Sequence, residues 1–336
     1  MKKLLVSIII AVFVVVVLFA VNFYSYCITP YRSTPVDIIV NIPEGASFKK
    51  VFELLAEHNI IRKSVRFTLL AKLKNAEHKI KSGEYCMTMP LSPLDVLDKL
   101  VRGEVITYSV TIPEGKDIFD VARIMETAGL GSFAGNLEKM RDPAFIRSAG
   151  LEQESLEGFL FPDTYRFSRQ TVPETILKKM VARHKAVVDR EIIRQAEKTG
   201  LSLREVITLA SLVEKETAQR SEKRLIAAVF LNRLKKGMRL ECDPTVIYGI
   251  KQEMPGFNRR LRTKHLRKKT PYNTYRIYGL PKGPICNPGL ESIKAVLNPA
   301  KTDYLYFVSK NNGFHQFSKT LKAHNRAVHE YQKNGR

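Results

Sequence analysis

The stretch VNIPEGASFKKVFELLAE (Val40–Glu57) changes its hydrophobic period part-way along. Upstream, VDIIVNI (Val36–Ile42) alternates as a half-buried strand does. Pro43, Glu44 and Gly45 then turn the chain, and Ser47 stands where a helix N-cap belongs. Val51, Leu54 and Leu55 follow at helical spacing. At an offset of 70 residues, VTIPEGKDIFDVARIMET (Val110–Thr127) repeats the pattern. ITYSVTI is its strand, Asp117 its cap, and Val121, Ile124 and Met125 its apolar positions. Turn, cap and spacing match together, so a duplicated strand–turn–helix module explains the pair better than chance. SGEYCM (Ser82–Met87) reads as a strand returning after the first copy.

Toward the N-terminus, Leu4–Phe23 is apolar except for Ser7 and Asn22. At about 1.5 Å per residue this run spans about 30 Å, the hydrocarbon thickness of a bilayer. Lys2 and Lys3 precede it and only Arg32 follows closely, which places the short N-terminus in the cytoplasm. Tyr24 and Tyr26 fall where an aromatic belt lies. The run is too long for a signal peptide and no A-x-A-like site follows it. Bulky Tyr26 before Cys27 argues against a lipoprotein site. The expectation is a single-pass anchor with the rest of the chain outside the cytoplasm, led by a proline-containing spacer (Ser25–Pro35).

The 336 residues are 44% apolar and carry a formal charge of +22, which calls for an anionic partner. Placement outside the cytoplasm disfavours nucleic acid and leaves phospholipid headgroups and cell-wall carboxylates. RRLRTKHLRKK (Arg259–Lys269) has seven basic residues and no acid. It is either a solvated loop or a surface that draws such anions, and attraction is favoured. Four cysteines lack C-x-x-C spacing, which disfavours zinc. Cys242 and Cys286 are candidates for a disulfide, with free buried thiols the simpler reading.

From Val172 onward helices dominate. ETILKKMVARHKAVVDREIIRQAEKTG reads as an amphipathic helix ending at Gly200, and LSLREVITLASLVEKET as a buried one. SEKRLIAAVFLNRLKKGM follows, with Ser221 as expected N-cap and Gly237 as C-cap. Loops of Pro, Gly, Asn and Tyr come next. Then come a short helix (LESIKAVL), two strands about an Asn312-Gly313 turn, and a helix from Leu321 to Lys333.

Glu214 and Glu216 interrupt the buried helix. Glu214 continues the face of Val206, Ile207, Ala210 and Val213, and Glu216 the stripe of Leu209 and Leu212. Either is a candidate for partial burial, which would raise its pKa and make it a proton donor near neutral pH. Either is equally open to a surface role paired with Lys215, Arg220 or Lys223. The loops beside them fit a carbohydrate cleft, because aromatic faces pack on sugar rings and amides read hydroxyls. Turn chemistry accounts for Asn, Pro and Gly there, but less well for Tyr248, Tyr272, Tyr275 and Tyr278.

Several blocks in fixed order resemble the endolytic murein transglycosylases, the YceG-like family. They are LEGFLFPDTYRF (Leu156–Phe167), LASLVEKET, VFLNRLKKGMRLECDPTVIYG, TPYNTYRIYGLPKGPICNPG, DYLYFVS, FHQF and His324-Asn325. The resemblance runs from the membrane anchor to the last helix. It implies that Glu216, the second glutamate of V-E-K-E-T, is the catalytic acid. It also implies substrate contacts from Glu214, Asn232, Glu241, Asp243, Thr245, Tyr248, Tyr272, Asn273 and Tyr275. Glu241 departs from the family, which commonly has Gln there.

The implied reaction is a lytic cleavage of MurNAc–GlcNAc bonds within nascent glycan strands. It leaves 1,6-anhydro-MurNAc ends and is expected to stop strand elongation. The sugar's own C6 hydroxyl is the nucleophile, so one carboxyl suffices where hydrolytic glycosidases need two. No metal or cofactor is implied. Expected partners are peptidoglycan strands, the inner membrane and peptidoglycan synthases (penicillin-binding proteins). The rival class is a non-catalytic wall-binding scaffold. The expected fold is α+β: a cytoplasmic tail (1–3), a transmembrane helix (4–24), a linker (25–35) and a LysM-like peptidoglycan-binding module (36–105). A second repeat unit with its connection (106–170) and a mostly helical periplasmic catalytic domain (171–336) with a small C-terminal β element complete it.

Overall fold

Alternation at Val36–Ile42 builds β1 because Val40 and Ile42 turn inward while Asp37, Ile39 and Asn41 face out. The computed structural model describes residues 2–333. The chain divides into two compact units, Met1–Tyr108 with Arg166–Gln170, and Ser109–Tyr165 with Thr171–Arg336.

The smaller unit holds α1 (Lys2–Ile28), β1, α2 (Phe48–Glu57), α3 (Val65–Leu73), β2 (Gly83–Met89) and α4 (Pro93–Arg102). β1 and β2 pair antiparallel from Val36↔Met89 to Ile42↔Gly83. Tyr85, Met87 and Met89 alternate inward on β2. Gly45 takes the left-handed backbone of the Pro-Glu-Gly turn (φ +73°). The Ser47 hydroxyl then accepts from the Lys50 amide and starts α2. The apolar helix α1 runs to Ile28, four residues beyond the expected end of the span at 24. Packing explains the extension: Cys27 is buried in this unit's core, with Phe23 and Tyr26 against it.

The division between units falls inside β3 (Tyr108–Thr111) and β4 (Thr164–Phe167), which pair with each other. Both I-P-E-G motifs form strand, turn and capped helix, yet they lie in different units. The second is held in the larger unit by its backbone: Ile112 N–H donates to Asp163 O and Gly115 N–H to Asn287 O, each at 3.0 Å. Asp117 caps α5 (Ile118–Thr127), accepting from Asp120 N–H.

The larger unit continues with α6 (Phe133–Lys139), α7 (Pro143–Ser148), α8 (Pro173–Val187) and α9 (Arg190–Thr199). The single helix expected up to Gly200 is therefore two. Val188 leaves helical geometry, and the Asp189 carboxylate caps a new helix through the Glu191 and Ile192 amides. Next come α10 (Leu203–Glu216), α11 (Arg220–Lys235), α12 (Asp243–Lys251), α13 (Thr263–Leu266) and α14 (Leu290–Leu297). Ser221 lies inside α11 rather than capping it, because the helix already starts at Arg220. Gly237 follows α11 with left-handed backbone, as the sequence requires (φ +64°).

The hairpin β5 (Tyr306–Ser309) and β6 (His315–Ser318), then α15 (Leu321–Val328) and a π-helical turn (His329–Lys333), end the described chain. Helix α10 is the core of this unit. Every residue from Val206 to Val213 is buried, against α9, α11, α12 and α14. All four cysteines are free thiols.

Candidate active site

A Ser202–Glu205 capping box starts α10, and Thr217, in extended conformation, ends it. Between these ends the helix holds Glu214 and Glu216, whose directions differ by about 200° at 3.6 residues per turn. Glu214 faces α11 and α14. Its two oxygens lie 3.0 and 3.1 Å from Lys223 Nζ, and Oε2 also accepts from Gly289 N–H (3.0 Å) and Ser292 Oγ (2.6 Å). Both side chains of the pair are almost wholly buried, at 6% and 4% exposure. A carboxylate with this many donors is fully engaged.

Glu216 faces the other way, toward Cys242 and Asp243 at the start of α12 and His315 on β6. It is half-buried and forms no ion pair among the described residues. Burial pushes its carboxyl above the usual range; a bond from the Cys242 thiol opposes this, Asp243 adds to it, and His315 opposes it. His315 is itself held by Glu222, whose carboxylate meets His315 Nδ1 at 2.7 Å and its backbone N–H at 2.8 Å.

The segment after α11 is pinned by Arg233. Its guanidinium donates to Leu305 O (2.6 Å), Leu240 O (3.0 Å) and Arg239 O (3.1 Å), and lies over the Tyr306 ring. It also reaches Glu241 Oε2 at 3.2 Å. Glu241 is half-exposed with left-handed backbone (φ +53°). Asp243, exposed at the first turn of α12, accepts from the Tyr275 hydroxyl at 2.7 Å. Glu216, Glu241, Asp243 and Tyr275 thus come from neighbouring segments.

Three other expected contact residues have their polar groups engaged inside the protein. Asn232 Nδ2 donates to Thr302 O and Tyr304 O. Thr245 is fully buried, bonded to Cys242 O and the Thr274 hydroxyl. Asn273, also fully buried, donates to Leu266 O and Lys268 O and accepts from Tyr275 N–H. These residues brace the loops, so the structure gives them a positioning place rather than a contact surface.

Tyr248 and Tyr272 stand apart from Glu216. Their rings meet edge-on at 4.8 Å and line a cavity of about 340 Å³ with Glu157, Arg141, Arg204 and Lys269. The loop carrying Tyr272 approaches α12 closely because residue 249 is glycine. A Cβ there would collide with the Thr270 hydroxyl.

Glu157 is a buried carboxyl that reading by sequence missed. Burial first, and then the Asp117 charge, push it up to about 8. Oε2 accepts from Ile118 N–H at 3.0 Å, and Asn287 Nδ2 donates to Oε1 at 3.4 Å. Its only sequence signal is an acid inside the apolar block LEGFLFPDTYRF.

The model of the YceG-like family matches residues 40–330. The chain belongs to the YceG-like family. Two curated relatives are similar to this chain over most of its length. The endolytic murein transglycosylase of Bacillus subtilis (strain 168) is 33% identical, over 89% of this chain and 86% of its own length. The enzyme of that name from Streptococcus pneumoniae (strain D39 / NCTC 7466) is 30% identical over 88% of this chain, which spans 58% of that longer protein. The crystal structure of a YceG-like protein from Listeria monocytogenes superposes with a TM-score of 0.60 at 31% identity. It covers 86% of this chain and 98% of that one. The matched region contains every residue of the glutamate site.

Proposed function

We propose that the chain is a membrane-anchored endolytic lytic transglycosylase that cleaves MurNAc–GlcNAc bonds within peptidoglycan strands and leaves 1,6-anhydro-MurNAc ends. One observation carries the reading. Of the two carboxyls ending α10, Glu214 is closed in an ion pair, while Glu216 forms no ion pair among the described residues, is half-buried and is held toward its protonated form. That is the condition of a general acid near neutral pH.

Glu216 donates its proton to the glycosidic oxygen as the bond to the anomeric carbon breaks. The resulting carboxylate takes the proton of the muramoyl C6 hydroxyl, whose oxygen closes on C1. No water is consumed, and the acid is regenerated. Asp243 and Tyr275, bonded to each other, sit where they would contact sugar hydroxyls, with Glu241 beside them. Tyr248 and Tyr272 would act from the separate cavity.

Support for the anchor comes from Lys3–Ile28, a 26-residue helix with a mean hydropathy of 3.5 and no buried residue in its most apolar stretch. Lys2 and Lys3 at its start orient the catalytic unit to the periplasm. The antiparallel pair β1–β2 backed by α2 and α3 supports a LysM-like wall-binding role for the smaller unit. Peptidoglycan synthases that release nascent strands are the fitting partners.

Mass spectrometry of purified glycan strands after digestion tests the reaction. Internal cuts with anhydro ends are expected. Reducing ends would mean that water attacks, with a neighbouring carboxylate such as Asp243 or Glu241 as base, and would replace this mechanism.

A further inference from the structure

Where α1 ends and α3 begins, the smaller unit holds a cavity of about 400 Å³. Arg62, Lys63 and Arg66 line it together with Ser64, Tyr26 and Tyr31, and no acidic residue does. None of the three cations forms an ion pair among the described residues. Arg62 lies 5.8 Å from the Tyr31 ring centre and Arg66 5.6 Å from that of Tyr26. These ring contacts orient the guanidinium groups without neutralising them. The Tyr26 hydroxyl is buried in the same place with no hydrogen-bond partner among the described residues.

The nine-residue helix α3, capped by Ser64, aims its N-terminus at this region and adds partial positive charge. Three uncompensated cations, a helix N-terminus and an unpartnered hydroxyl make an acceptor for a phosphate group. The depth of the cavity is informative too. Its lining begins at Asn22, where the apolar run of α1 closes, and continues along Ser25, Tyr26 and Thr29 of the same helix. Val65, between two of the cations, is 84% exposed.

We infer that this cavity binds the phosphate of an anionic phospholipid headgroup at the surface of the membrane that α1 spans. The inference rests on the reading of α1 as an anchor. It assigns Arg62, Lys63 and Arg66 to the phosphate, Tyr26 to one of its oxygens, and Val65 to the upper acyl region.

The test uses the full chain in phosphatidylcholine vesicles containing spin-labelled lipid. Flotation with the vesicles reads the anchor, and the immobilised fraction of label reads the site. Phosphatidylglycerol label should be held several-fold more than phosphatidylcholine label. Combined R62Q, K63Q and R66Q substitution should abolish that preference, and R62K with R66K should keep it. Charge removal at Arg259, Arg260 and Arg262 should leave it unchanged. Equal retention of both labels, or a preference that survives the triple substitution, overturns the site. Displacement by inorganic phosphate at matching concentration would mean a soluble ligand and would overturn the lipid assignment. A chain that fails to float would remove the anchor, and this site with it.

Discussion

Lys223 Nζ lies 3.0 Å from Glu214 Oε1 in a nearly dry contact, and that pair engages one of the two carboxyls at the end of α10 while Glu216 forms no ion pair among the described residues. Glu216→Gln keeps volume and polarity but removes the proton. Activity on glycan strands should fall on the order of 10²–10⁴-fold with the melting temperature unchanged. Because burial holds the Glu216 carboxyl up, wild-type activity should decline on the alkaline side as that proton is lost. A folded Glu216→Gln enzyme retaining most activity would reverse the assignment of the two glutamates.

Glu214→Gln should act through stability. It leaves the Lys223 ammonium buried with Glu114, at 3.9 Å, as its remaining carboxylate neighbour among the described residues. Breaking a buried pair in this way costs about 3–5 kcal/mol. Urea unfolding should show the loss, while the activity remaining per folded molecule should exceed that of Glu216→Gln.

Glu157 makes stability depend on pH. Its carboxyl stays protonated to about pH 8 in the folded chain but ionises near 4.5 when unfolded. Between these values the folded state binds the extra proton, so stability falls as pH rises. Glu157→Gln cannot ionise, so its stability relative to wild type should rise from pH 5 to pH 8.5, by on the order of a few kcal/mol. A difference independent of pH would show that Glu157 is already ionised in the native state.

Two truncations separate the membrane-spanning part of α1 from its packed end. Removing residues up to Asn22 leaves Phe23, Tyr26 and Cys27 in the core of the smaller unit, and removing them up to Ile28 does not. The shorter chain should lose on the order of 2–4 kcal/mol in that unit. Equal denaturation midpoints would mean that the end of α1 contributes nothing to the fold.

At the unusual acid, Glu241→Gln should change stability by less than about 1 kcal/mol, because the Arg233–Glu241 pair is half-exposed on the acid's side. Arg233→Lys should cost more, about 2–3 kcal/mol, since an ammonium cannot reproduce the fork that serves three carbonyls. Thermal melts of the two variants compare them directly.

Local pattern alone determined a good deal here. The apolar run of α1, the two strand–turn–helix motifs and their Ser47 and Asp117 caps are local signals, and the structure contains each. So is the buried character of α10. Tertiary structure decided what the local signals could not carry. Helical periodicity sets Glu214 and Glu216 about 200° apart, but it does not say what waits in each direction. Lys223 comes from nine residues on and Gly289 from seventy-five, and both engage Glu214. Cys242, Asp243 and His315 meet Glu216 only because α12 and β6 pack beside the end of α10. Tyr248, five residues past Asp243 on α12, turns into another cavity with Glu157, whose burial needs α5, α12 and Asn287 together. The pKa of a carboxyl depends on solvent exclusion and on charges brought from distant segments, and only the folded chain supplies those.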